Sequence, residues 1–94
     1  MTPEAFREKL LEDGYLDVET KSIAAGFFVD SHSHPYDVRV LVLAGEATIA
    51  CDGVPTTYRP GDMFEVARGC QHTEKYGPQG YTFMVGRRHP AATA

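Results

Sequence analysis

Three histidines carry the chemistry this sequence offers. His32 and His34 are separated only by Ser33 and close an apolar run that begins after Gly26. On an extended strand, positions two apart project to the same face, so the pair aims two imidazoles at one point. His72 follows a second glycine-bearing stretch, Gly61 to Gly69. If the fold returns His72 to that point, three neutral imidazoles form a mononuclear site for a divalent transition metal and leave a coordination position open. Imidazole donors do not select one ion, so Fe, Zn, Ni, Mn and Cu all stay open. His89, in the C-terminal tail, is expected to take no part.

The elements that must position these residues read as strands after a short helix. Thr2-Pro3-Glu4 supplies a cap, a first-turn proline and an acid that complements the helix dipole. Phe6 and Leu10 lie one turn apart, and Gly14 stands where a helix ends. From Tyr15 the pattern changes. Val38 to Ala44 is almost continuously aliphatic, Asp52-Gly53 marks a hairpin, and Arg59-Pro60-Gly61-Asp62 marks a turn. Further turns are expected at Gly45-Glu46 and across Gly77-Pro78-Gln79-Gly80. Seven or eight short strands so divided predict an all-β barrel or sandwich. One domain is expected over residues 1–94, with the helix in 1–14, the barrel in 15–88 and a flexible tail in 89–94.

Composition excludes several classes. The chain has 94 residues, 43% hydrophobic and 23% charged, as an ordinary globular domain has. A net charge of −4 with Arg87-Arg88 as the one adjacent basic pair argues against nucleic acid as a partner. No apolar run is long enough to span a bilayer, and the charged N-terminus is unlike a secretory signal, so no membrane partner and a cytoplasmic location are expected. In a reducing compartment Cys51 and Cys70 are expected to remain thiols.

The spacings resemble those of the cupin family, the small double-stranded β-helix or jelly-roll proteins. Its first motif is matched by Gly26, His32, His34 and Gly45, and its second by Gly61, Gly69 and His72. Ala67 replaces the motif's proline and Tyr76 its asparagine. Val38 stands at the position of the motif's glutamate ligand, and the alternative spacing gives Arg39. The resemblance therefore implies a three-histidine variant, His32, His34 and His72, without the usual carboxylate. Asp37 is the nearest acid, yet it lies in the opposite alternation phase to Val38, so either it or water is left to fill that place. A site without the carboxylate is more cationic and favours anionic or bidentate oxygen ligands.

Around the metal, Tyr36, Val38, Tyr76 and Met84 are candidates to line a pocket, with Phe28, Val40, Phe64 and Phe83 as further apolar wall. Gln71 is a candidate to orient a histidine, and Cys70 a soft ligand or redox-sensitive thiol. Arg39 is expected to pair with a surface carboxylate. The sequence supplies no obvious general base. Two functions follow: a metal-dependent enzyme acting on a small organic molecule, with dioxygenase- or isomerase-like chemistry implied by the resemblance, or a non-catalytic module that binds or senses a metal or small ligand. A small sandwich with an open sheet edge also suggests a homodimer.

Overall fold

The computed structural model describes residues 1–26 and 28–90; Phe27 and the last part of the expected tail, residues 91–94, lie outside the described residues. Helix α1 (Pro3–Glu12) precedes strands β1 (Leu16–Ile23), β2 (Phe28–His32), β3 (Asp37–Cys51), β4 (Val54–Tyr58), β5 (Met63–Val66) and β6 (His72–Arg88). The architecture is the expected jelly-roll with a short N-terminal helix. Thr2 Oγ1 accepts from the Ala5 N–H at 3.1 Å, which is the cap the sequence predicts.

Strands β3 and β6 organise the molecule. They pair antiparallel from Asp37 opposite Arg88 to Cys51 opposite His72. Along the first half of β3 the order is β1–β6–β3–β5, and along its second half it is β2–β6–β3–β4. Two sheets thus share the same two long strands.

This corrects two expected turns. Gly45-Glu46 and Gly77–Gly80 do not separate strands; β3 and β6 run through them, with ladder irregularities at Val42/Ala44 and Gly45/Ala47. The glycines act as fold lines. Gly45 has φ +71° and Gly80 φ +79°, in the left-handed region that glycine alone enters freely. A Cβ on Gly45 would collide with the Gly80 carbonyl, and one on Gly80 would lie 2.8 Å from the Ile23 carbonyl oxygen. Two backbones bend together where no side chain fits. Four expected segments therefore merge into two, and the described residues form six strands in place of seven or eight.

Alternation along β3 explains its unbroken aliphatic run. Val40 and Val42 face the interior with Ile49, Phe64, Val66 and Val85. Leu41 faces outward and is buried under α1 with Phe6, Leu10 and Tyr15, while Leu43 and Met84 pack beside them. Phe6 and Leu10 are both 0% exposed, so the helix is bound to the outer sheet face through a real core. Arg39 fixes it further. Its guanidinium donates to Asp13 and to Glu65 at 2.6 Å each and lies 4.4 Å from the Tyr15 ring centre, which is the expected carboxylate pairing.

The fold lines can be tested against an ordinary glycine turn. Gly53, at φ +81°, has open space around a would-be Cβ. Gly53→Ala is expected to cost about 1 kcal/mol in urea unfolding, the conformational term alone, whereas Gly45→Ala is expected to cost about 3 kcal/mol or more, because a backbone collision is added.

Candidate metal centre

The histidines converge. His32 ends β2 and lies opposite His72, the first residue of β6, in the ladder. His34 lies just beyond β2, and its carbonyl accepts from the Gly69 N–H at 2.8 Å, which ties the two motif segments together. One ring nitrogen from each of His32, His34 and His72 falls within 4.8 Å of the others.

Two of the rings are oriented by the same device. His32 Nδ1 lies 2.8 Å from the Asp30 carbonyl oxygen, and His72 Nδ1 lies 3.0 Å from that of Cys70. A carbonyl can only accept, so in each neutral ring Nδ1 carries the proton and Nε2 keeps its lone pair for a metal. His34 is shifted toward its neutral form: burial, then its histidine neighbours, lowers its pKa below the ordinary 6.5. It stacks on Tyr36 with ring centres 5.0 Å apart.

This donor set fits a metal ion. Three atoms no more than 4.8 Å apart share a point within about 2.8 Å of each, so shifts of under about 1 Å bring them to the 2.0–2.1 Å of a Zn–N bond. The chemistry of the donors agrees, since neutral imidazoles are what a borderline divalent cation takes.

The sequence reading missed a carboxylate. Glu74 Oε2 lies 3.4 Å from His32 Nε2 and 4.0 Å from His72 Nε2. Val38, at the motif's glutamate position, brings no donor, and an acid arrives from β6 instead. The signal was available: Glu74 is two residues beyond His72 on a strand, hence on its face. It also supplies the proton acceptor that no motif position offered.

Beside the histidines lies a cavity of about 190 Å³. Tyr36, Val38 and Tyr76 line it, together with Val40, Phe64 and Phe83. Burial first, and then Glu74, pushes the Tyr76 phenol well above its ordinary range, so it remains a protonated donor. Lys21 and Arg87 add two cations to the wall.

Other candidates are placed elsewhere. Met84 does not line the cavity; Phe83 and Val85 face inward, so parity sends Met84 to the core under α1. Phe28 is 59% exposed and is no part of the wall. Asp37 does not replace the missing glutamate, because its carboxylate accepts from the Arg68 N–H at 2.9 Å and from Arg88 Nη2 at 2.9 Å. Gln71 engages no histidine ring; its side chain reaches Ser31 at 3.0 Å and Ser33 at 3.5 Å, on either side of His32. His89 packs on Tyr36, 5.0 Å between ring centres, and pairs with Asp17 at 3.7 Å.

A double-sheeted jelly-roll with three convergent histidines at motif spacing defines a cupin-type centre. The family model for the cupin domain matches residues 20–75, more than half of the chain and inclusive of all three histidines, and the chain belongs to the cupin family. A search of curated proteins finds no match. Among solved structures, a conserved protein of unknown function from Streptococcus pyogenes is similar at 23% identity and TM-score 0.71, over 80% of this chain and 65% of that one. A cupin superfamily protein from Desulfitobacterium hafniense is similar at 23% and 0.69, over 78% and 66%. The DMSP lyase DddQ from Ruegeria pomeroyi is similar at 27% and 0.70, over 82% of this chain and 40% of the lyase. The chain therefore spans less than two thirds of the length of each. No helix among the described residues is long and apolar enough to cross a membrane.

Asp37 gives this region a defined pH response. The Arg68 N–H, and then Arg88, holds its carboxyl below the ordinary 3.8. A depressed carboxyl stabilises the fold above the unfolded-state value and loses that contribution as pH falls through the folded-state value. Asp37→Asn is expected to lower the melting temperature by a few degrees at pH 7 and by less as the pH is brought below 3.8, as followed by circular dichroism across that range.

Proposed function

We propose that this cupin holds a divalent transition metal on His32, His34 and His72, with Glu74 as the attached carboxylate, and acts there on a small organic anion. The convergence of three imidazoles within 4.8 Å of one another, with the Glu74 carboxylate beside two of them, supports this most directly. A bound divalent cation would supply Lewis acidity, polarising a carbonyl or carboxylate oxygen of the ligand.

The chain's own groups set the rest. The cavity of about 190 Å³ is smaller than the ~300–1,000 Å³ of pockets for drug-sized ligands, so the ligand is small. Lys21 and Arg87 favour an anionic group, even though Glu19 partly balances both, at 3.5 Å and 3.2 Å. Val38, Val40 and Phe64 exclude water, and the Tyr36 and Tyr76 hydroxyls can donate to a ligand oxygen.

Two reaction types fit. Dioxygenase-like chemistry follows from the resemblance to three-histidine cupins. Proton-transfer chemistry, of the isomerase or lyase kind, is favoured by a specific observation: Glu74 places a carboxylate beside the open cavity, where it can take a proton from a bound ligand. The DMSP lyase among the structural neighbours is in keeping with that. Oxygen uptake by Fe(II)-loaded protein separates the first type, and exchange of a substrate C–H proton for deuterium separates the second. Ligand-induced stabilisation with neither signal would make the chain a binding module.

Metal titration tests the ligand set. His34→Ala and His72→Ala are each expected to weaken Zn(II) binding by about a hundredfold or more, and Glu74→Gln by about ten- to a hundredfold, measured by competition with a chromophoric chelator. Val38→Glu in the Glu74→Gln background is expected to recover the affinity by restoring a carboxylate at the motif position. Unchanged affinity in all three single variants would remove the proposal.

A further inference from the structure

The chain has two cysteines, and both are spent on one contact. Cys51 closes β3 and Cys70 lies in the loop before β6, yet their sulfurs are 2.9 Å apart, with the Cys70 S–H directed at the Cys51 sulfur. Both are free thiols and half-buried. The backbones on either side are already fastened: Cys51 stands opposite His72 in the ladder, and the Asp52 N–H donates to the Gln71 carbonyl at 3.3 Å. Drawing the sulfurs to the ~2.05 Å of a disulfide takes less than about 1 Å of movement.

The position of this pair gives it consequence. The carbonyl that fixes the proton on His72 Nδ1 belongs to Cys70 itself. The next residue, Gln71, holds Ser31 and Ser33 on either side of His32. A covalent tie at Cys70 therefore acts on the peptide that orients one histidine and braces another.

We propose that Cys51 and Cys70 are a redox modification site, a dithiol that a hydroperoxide converts to a disulfide, and that the oxidised form presents His72 differently from the reduced one. The half-buried Cys70 sulfur, in the loop before β6 and 3.8 Å from the Gln71 carbonyl oxygen, is the first to react. It attacks the peroxide O–O bond, forming a sulfenic acid and releasing the alcohol, or water from hydrogen peroxide, with the thiol proton leaving on the departing oxygen. The Cys51 sulfur then attacks the sulfenic sulfur and expels water, its own proton leaving with the hydroxyl. In total, two thiols and one hydroperoxide give one disulfide, one alcohol and one water. The sulfurs lose two electrons and the peroxide gains them. External thiols reverse the reaction by exchange.

The crosslink stands independently of the metal; its effect on His72 rests on the metal-binding reading. The full-length, metal-free protein is treated with stoichiometric hydrogen peroxide, alkylated with iodoacetamide and weighed intact. The expected result is a loss of two hydrogens, no alkylation, a Cys51–Cys70 peptide after digestion and full reversal by dithiothreitol, with Cys70→Ser forming no intramolecular crosslink. Two alkylated cysteines, oxygen adducts in place of the crosslink, or a crosslink only between molecules would overturn the site. In the second arm, Zn(II) affinity is expected to change by about tenfold or more between the oxidised and reduced protein, the scale on which groups behind a ligand act. Cys51→Ser, which removes the partner sulfur and leaves the Cys70 carbonyl contact to His72 in place, is expected to keep the affinity of the reduced protein and to show no such change after peroxide. Equal affinity in both redox states would overturn the effect on His72 while leaving the crosslink standing. A reduced protein that binds no Zn(II), Fe(II), Ni(II), Mn(II) or Cu(II) would overturn the metal reading and the coupling with it, and mass alone would then decide the crosslink.

Discussion

The pairing of β3 with β6 is the constraint on which everything else rests. Hydrogen bonded from Asp37 opposite Arg88 to Cys51 opposite His72, the two strands build both sheets at once. They can do so only because Gly45 and Gly80 let them bend together where any side chain would meet backbone. The far end of that ladder sets His72 beside His32. The convergence of the three histidines is thus an outcome of sheet register. A ladder displaced by one residue would turn His72 and Glu74 away from the cavity together, since both occupy the same face.

Most of the centre was legible in the sequence, because alternation along strands is a strong rule and motif spacing is a stronger one. His32, His34 and His72 follow from these. Glu74 obeys the same alternation from His72, although it stands at no motif position. Met84 has the opposite parity to Phe83, and that alternation sends it to the core under α1 and not to the cavity. What could not be read was strand continuity: a glycine that bends a long strand and a glycine that reverses the chain look alike until the neighbour's backbone is known. Gly53 and Gly45 share nearly the same φ, yet only Gly45 has a carbonyl where its Cβ would go.

The electrostatics divide the molecule by face. On the outside, Arg39 joins Asp13 and Glu65, and Arg88 joins Asp37, so these carboxylates hold the helix and a loop and are not available to a metal. Inside, Glu74 is the acid at the histidines among the described residues, accompanied along the cavity by Lys21 and Arg87. A chain with net charge −4 therefore still presents two cations in the cavity wall, partly balanced by Glu19. The total charge says little about what such a pocket attracts; the local field does.

The first half of β3 is read on both sides, Val38, Val40 and Val42 inward and Arg39, Leu41 and Leu43 toward the helix. Its length is therefore fixed twice over. Inserting or deleting one residue there would exchange the two sets, bringing a guanidinium into the cavity and the cavity's valines under α1. The turns at Asp52-Gly53 and Pro60-Gly61 carry no such double duty. Across related chains, changes of length should collect in those turns, and the stretch from Asp37 to Ala44 should vary in its side chains but never in its count.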